Sequence, residues 1–300
     1  MKRFMKELNP LVSIIVITYN SAKYVLETIE SAKDQIYQNI ELIVSDDGST
    51  DNTVEICREW IEENKERFVR TELITVPENT GIPANCNRAW VASNGEWIKF
   101  IAGDDELMPN CIEMNLLFTN RQSKILHSNC EIYNNKFDLV NLIDITDKKD
   151  YQFCKVYTAI EQYRLLINRK GNISSPTVFF HRTILENVNG FDEDFRLIED
   201  VPMWLKLTKA GYVFQFVDAI TVKYRIHNYS VQRDNQYHMS KVYAEELLKV
   251  NVKYLRNEVS KFVYLKRTLR LKLIIILNMI KLNNAGVVSD FLFRCVNKIS

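Results

Sequence analysis

The chain has 300 residues, 46% of them hydrophobic, enough to bury a full globular core as one large domain with an appendage or as two domains. Its formal net charge of +1 hides a division: residues 236–300 carry twelve Lys/Arg against four Asp/Glu, and the remainder carries 27 against 34. An acidic body with a basic tail excludes a nucleic-acid binder, whose basic residues share a face with its recognition elements, and suits a cationic patch that meets an anionic surface.

Six cysteines, no two closer than nineteen positions, exclude zinc-ribbon and CxxC chemistry and predict free thiols in a reducing cytoplasm. Met1-Lys2-Arg3 is a charged start, but the apolar run from Leu11 to Ile17 is short and lacks a small-residue cleavage site, so no signal peptide is expected. No apolar stretch approaches the roughly 20 residues that span a bilayer. The expected location is therefore cytoplasmic, and the Asn-x-Ser matches at Asn172 and Asn228 carry no meaning.

In chain order, Val12 to Ile17 is a β-branched run of buried-strand type, and Ser21 caps a helix with Tyr24, Val25, Ile29 and Ala32 as its apolar stripe. A strand from Ile40 to Val44 ends in Asp46-Asp47-Gly48-Ser49-Thr50-Asp51, and a helix through Val54, Ile56, Cys57, Trp60 and Ile61 follows. A strand near Glu72 to Val76 leads to Asn79-Thr80-Gly81, a helix from Pro83 to Ala92 and a strand over Trp97 to Ile101. This β-α-β-α rhythm predicts an α/β fold, a mostly parallel sheet flanked by helices. Further on, the pattern predicts strands at 125–133, 177–180, 213–217 and 220–224 and helices at 156–167 and 200–209. The final sixty residues read as helical throughout.

Ligands of open α/β sheets sit at the carboxyl ends of the strands. Those ends carry Thr18-Tyr19-Asn20, Asp46-Asp47-Gly48 and Gly103-Asp104-Asp105. Carboxylates this close together repel unless a cation or hydrogen-bond donor lies between them. Two hard anions on a short loop suit Mg²⁺ or Mn²⁺ when a diphosphate supplies the remaining ligands, although Asp46 to Ser49 also fits a plain turn and helix cap. No two glycines stand two positions apart, which excludes GxGxxG; no Gly-x4-Gly-Lys, GxSxG or HExxH occurs either. Without a glycine loop, nucleotide phosphates must be held through metal and basic side chains.

These motifs, in order over roughly residues 10–230, resemble the family 2 inverting glycosyltransferases with the GT-A fold. Val12 to Asn20 resembles the opening strand that contacts the base, bringing in Thr18, Tyr19 and Asn20. Asp47 falls where the family holds base or ribose. Asn79-Thr80-Gly81, Asn87 and Gly95 to Ile98 resemble the stretch leading to the metal strand, and Ala102-Gly103-Asp104-Asp105 with Pro109 falls at the DxD metal signature. Ala102 replaces the first Asp, which leaves Asp104 and Asp105 for metal and diphosphate; Cys86 stands where an Arg is common. Glu199-Asp200 resembles the ED motif, with Asp200 as catalytic base and Glu199 orienting the acceptor. Tyr224-Arg225-Ile226-His227 with Ser230 resembles a segment near the donor diphosphate, where Arg225 would grip phosphate oxygens and His227 would aid metal or phosphate.

The resemblance implies a metal-dependent inverting enzyme. It would move a sugar from a nucleotide-diphosphate donor, UDP-linked by preference, to a saccharide or lipid-linked acceptor in surface polysaccharide synthesis. Residues 1–232 would form the catalytic domain, nucleotide-binding over 10–122 and acceptor-side over 123–232, with 233–300 a helical extension. Trp204 reads as core rather than acceptor platform, and Tyr19 as base-stacking or packed. In the tail, Arg267, Arg270, Lys272 and Lys281 surround an apolar run from Leu271 to Ile280. That pattern fits a peripheral membrane helix, a homodimer seam or a surface packed on the catalytic domain. An inactive scaffold and a sugar-phosphate nucleotidyltransferase stay open as alternatives.

Overall fold

The computed structural model describes residues 9–119, 124–147, 151–171, 173–227, 239–280 and 294–296. Met1 to Arg3, Asn172, Asn228, Ser230 and Lys281 lie outside them. Strand β1 (Val12–Thr18) runs down the middle of a sheet, parallel to β2 (Ile40–Asp46) on one side and β4 (Trp97–Ala102) on the other. β3 (Arg70–Thr75) extends it beyond β2, also in parallel. Alternate residues of β1 feed two cores. Val12, Ile14 and Val16 join Val25, Ile29, Cys57 and Trp60, while Ile15 joins Cys86 and Ala89. A strand apolar at all but Ser13 and Thr18 is thus covered on both faces, as a parallel sheet requires. The covers are α1 (Val25–Lys33) and α2 (Thr53–Asn64) on one side and α3 (Ile82–Ala92) on the other.

Beyond β4 the sheet becomes mixed. Among the described residues it has nine strands in the order β3-β2-β1-β4-β8-β6-β9-β5, with β7 (Leu142–Ile145) beside β6. β8 (Phe179–His181) runs antiparallel to both β4 and β6 (Ile125–Asn134), and β9 (Gln215–Ile226) runs parallel to β6. The two strands expected over 213–224 are one, with register shifts on β6 between Ser128 and Cys130. β5 (Glu106–Leu107), which pairs antiparallel with β9, was too short to show periodicity, as was α4 (Cys111–Leu117). α5 (Ala159–Ile167), α6 (Arg182–Asn187) and α7 (Asp200–Lys209) complete this half. Trp204 is core, stacked on Phe180, as its spacing implied.

Two helices follow, α8 (Lys241–Val250) and α9 (Lys261–Met279), joined through a five-residue π turn at Asn251–Leu255. Ser240 and Ser260 cap them by accepting the backbone N–H of Tyr243 and Val263. α8 packs on the loop before α7, where Val250 meets Phe195 and Ile198, while α9 closes over Ala244 with Ile274 and Leu277. All six cysteines are free thiols. No helix among the described residues is long and apolar enough to cross a membrane.

Candidate active site

The carboxyl ends of β1, β2 and β4 meet at one rim, and the three loops there are laced together before any ligand arrives. Asn20, at φ +51°, donates its N–H to Ser49 Oγ (2.8 Å) and accepts the Thr50 N–H (2.8 Å) through Oδ1. Asn is one of the few residues that tolerates that backbone, because its short side chain bonds locally. Asp46 is spent inside its own turn, accepting from Gly48, Ser49 and Thr18. Tyr19, 47% exposed, is left standing at the rim rather than packed.

Asp47 is 2% exposed and its carboxylate is fully engaged. It accepts the N–H of Thr80 (2.9 Å) and of Gly81 (2.8 Å) and pairs with Arg88 at 2.8 Å. Its visible work is therefore to fasten the Asn79–Gly81 loop to β2. Arg88 was missed in the sequence because it lies forty-one positions away on α3; Cys86, at the position flagged for an absent Arg, is in the core. Arg196, also missed, donates from Nη2 to the Asn79 carbonyl (2.8 Å) and Oδ1 (3.2 Å), and its own carbonyl accepts the Ile82 N–H (2.8 Å). So Asn79 and Gly81 are held from both sides.

At the end of β4, the adjacent acids part company. Asp104 is 28% exposed, and its Oδ2 lies 2.8 Å from His227 Nε2 at the end of β9. Asp105 turns inward, 2% exposed, and accepts the Arg225 N–H at 2.8 Å. Burial drives the Asp105 carboxyl well above its ordinary value and the Asp104 charge adds to this, against the opposing pull of Arg225 and Lys99. The expected Asp104–Asp105 metal pair is corrected in its second member: Asp105 faces the interior, and the side chain that stands beside Asp104 is His227. Ala102 is exposed at the same rim and offers no carboxylate.

Arg225 is the second correction. Expected to grip phosphate, it is 2% exposed and its donors are taken by the Asp104 carbonyl (2.7 Å), the Asn135 carbonyl and Glu27 (2.5 Å). Its guanidinium lies between the Tyr24 ring (4.5 Å) and the Phe137 ring (3.8 Å). A planar cation between two ring faces is a rigid pedestal. It holds the Asp104 backbone in place beside His227.

The second acidic pair begins α7. Glu199 accepts the Ser175 hydroxyl (3.0 Å), and Asp200 Oδ1 accepts the Val201 N–H (2.6 Å). Burial pushes the Glu199 carboxyl up to about 8, with the Asp200 charge adding to it; burial also raises Asp200, against the Val201 N–H. Two like charges at one site favour keeping a proton on one of them. The Tyr224 phenol, raised by burial, is raised further by Asp105, Asp104 and Glu199. It therefore feels charge from both acidic pairs. Tyr243 of α8, raised by burial, also feels Asp200 and Glu199, so the C-terminal helices reach this pair as well.

A carboxyl raised on folding holds a proton that the unfolded chain releases. Its stabilising contribution is present below the ordinary value of 4.5 and is lost as pH climbs to about 8. The melting temperature of wild type relative to Glu199→Gln should therefore fall across that window. Parallel melting-temperature profiles would remove Glu199 from the buried pair.

The family model "Glycosyl transferase family 2" matches residues 13–187. An uncharacterized glycosyltransferase of Rickettsia typhi is 28% identical over 223 residues, covering 73% of this chain; the chain spans 65% of that relative's length. Among solved structures, S. aureus TarS 1-349 in complex with UDP-GlcNAc aligns with a TM-score of 0.62 at 17% identity, covering 95% of this chain and 79% of TarS 1-349. The mannosyltransferase PcManGT from Pyrobaculum calidifontis, in complex with GDP-Man and Mn²⁺, aligns with a TM-score of 0.58 at 18% identity, covering 97% of this chain and 74% of its own. At such identities the likeness establishes a shared fold, the α/β arrangement of GT-A enzymes.

Proposed function

The chain belongs to glycosyl transferase family 2, and from that premise we propose that it transfers a sugar with inversion from a nucleotide-diphosphate donor, UDP-linked by preference, to a saccharide or lipid-linked acceptor in surface polysaccharide synthesis. The observation that carries this reading is the Asp104 carboxylate held 2.8 Å from His227 at the carboxyl end of the sheet, with Tyr224 feeling the charge of both Asp104 and Glu199. The ligands of TarS and PcManGT, UDP-GlcNAc in one and GDP-Man with Mn²⁺ in the other, support the donor class and a divalent ion.

The donor set fits such an ion in kind. Among the described residues no three His, Cys, Asp or Glu gather to hold a metal. Asp104 and His227 offer one hard oxygen and one imidazole nitrogen, and a diphosphate would complete the shell. Bound Mg²⁺ or Mn²⁺ supplies neutralisation of the charge that builds on the departing nucleotide diphosphate. The chain's own residues do the rest. Asp47, Arg88 and Arg196 keep the Asn79–Gly81 loop in place beneath the nucleotide, with Tyr19 and Asn20 at its edge, while Thr18 is buried beneath them and bonds Asp46. The acceptor hydroxyl oxygen bonds to the anomeric carbon as the bond to the diphosphate oxygen breaks. Asp200 takes the hydroxyl proton, and the electron pair leaves with the diphosphate. Glu199, raised toward neutrality, keeps negative charge centred on Asp200 and orients the acceptor.

Thermal shift with UDP, GDP and dTDP in the presence of Mn²⁺ tests the reading. At a hundredfold excess over Kd, the preferred nucleotide should add about 2.7 kcal/mol of stability, and the metal-dependent part should vanish in Asp104→Asn. An inactive scaffold, the one rival that exposed Ala102 favours, would show no metal-dependent stabilisation with any nucleotide. A panel of nucleotide sugars, read by release of nucleotide diphosphate, then identifies the donor.

A further inference from the structure

α9 has two apolar faces. Leu271, Ile274 and Leu277 are buried with Arg267, which donates to the Ile167 carbonyl at 2.6 Å. On the opposite side, Phe262, Leu265, Leu269, Ile276, Met279 and Ile280 are exposed. At 100° per residue these six fall within one third of the helix circumference, a stripe along an element about 28 Å long. At the same spacing Lys261 and Lys272 lie along one border of the stripe and Lys266 along the other, while Arg270 falls between the buried Leu277 and Ile274. The helix from Lys261 to Met279 carries five Lys/Arg and no Asp or Glu. A soluble helix resting on its protein shows polar groups to water. This one shows an apolar strip flanked by three lysines.

We propose that this outward face of α9 docks in the plane of an anionic phospholipid surface. The strip would enter the boundary between headgroups and acyl chains, while Lys261, Lys266 and Lys272, on long flexible stems, reach lipid phosphates. A second copy fits worse: an α9–α9 seam would oppose cation to cation with no acidic residue on either helix to answer them. The helix lies on the surface rather than through it, because it is neither long nor apolar enough to cross. Since α9 rests on α8 and α8 on the loop before Asp200, docking would set the acceptor side at a fixed height above the lipid.

The test is co-sedimentation of the full chain with phosphatidylcholine vesicles with and without phosphatidylglycerol. Wild type should bind the phosphatidylglycerol vesicles, and binding should weaken as salt is raised. The double variant Leu269→Gln/Ile276→Gln, on exposed positions, should keep its melting temperature and lose at least about tenfold in partitioning. Lys261→Gln/Lys266→Gln/Lys272→Gln should remove the salt dependence. Absence of binding, equal binding to pure phosphatidylcholine, or binding indifferent to the double variant would each overturn the proposal. So would a sedimentation-velocity dimer that the double variant dissociates, which would assign the face to a second copy. None of these readouts uses sugar transfer, so they stand or fall apart from the proposed activity.

Discussion

Asp200→Asn should lower turnover by about 10²–10⁴-fold while donor affinity is unchanged, the range typical for removing a positioned general base. The substitution is close to isosteric. Asn can still accept the Val201 N–H that Asp200 accepts at 2.6 Å, so the start of α7 keeps its geometry. What disappears is the charge that takes the acceptor proton. The same loss relieves Glu199, whose carboxyl is raised first by burial and then by its neighbour, so Glu199 in the variant should titrate lower. Nucleotide diphosphate release under saturating donor measures the first effect; isothermal titration with the nucleotide measures the second. If donor binding collapses along with turnover, Asp200 holds the donor, and the base must be sought elsewhere.

Gly81→Ala should cost about 2–4 kcal/mol of stability and raise the donor KM, by two routes that add. Gly81 sits at φ +101°, where an L side chain is strained. A Cβ there would also stand 2.8 Å from the Arg196 carbonyl oxygen and 2.9 Å from its Cα, both backbone atoms that cannot swing aside. Gly211→Ala is the control: φ is +94° and nothing lies within 4 Å of its added Cβ, so only the conformational cost of about 1 kcal/mol applies. Urea unfolding of the pair separates strain from collision. Equal losses at both positions would mean that Arg196 yields, and that the grip on the Asn79–Gly81 loop is looser than its contacts imply.

The parallel half of the molecule was legible because its signals are local. β1 and β2 are mostly apolar runs, and the acids that follow β2 fall at its carboxyl end, where the rim lies. The adjacent acids at 104 and 105 were readable as a pair, but not their opposite orientations. Both lie in the turn between β4 and β5, and only the packing of β9 beside β5 decides which of them faces the interior. Arg225 misled for a related reason. An arginine beside a histidine at a strand end resembles a phosphate grip until Tyr24, Phe137 and Glu27, distant in sequence, are seen to enclose it. Arg88, Arg196 and Tyr243 carried no pattern at all, because each acts through a partner at least 41 positions away in sequence.

Glu246 of α8 is 4% exposed and spends one carboxylate oxygen on the backbone N–H groups of Arg196 (2.7 Å) and Leu197 (3.5 Å), the same segment that steadies Asn79 and Gly81. The tail is consequently not a portable address label. Grafting a foreign anchor in place of residues 239–280 would unseat the donor loop as well as relocate the enzyme, unless the graft brought its own acid to that spot. Chimeras between relatives should therefore lose activity when the junction falls upstream of Glu246 and keep it when the junction falls downstream of Val250.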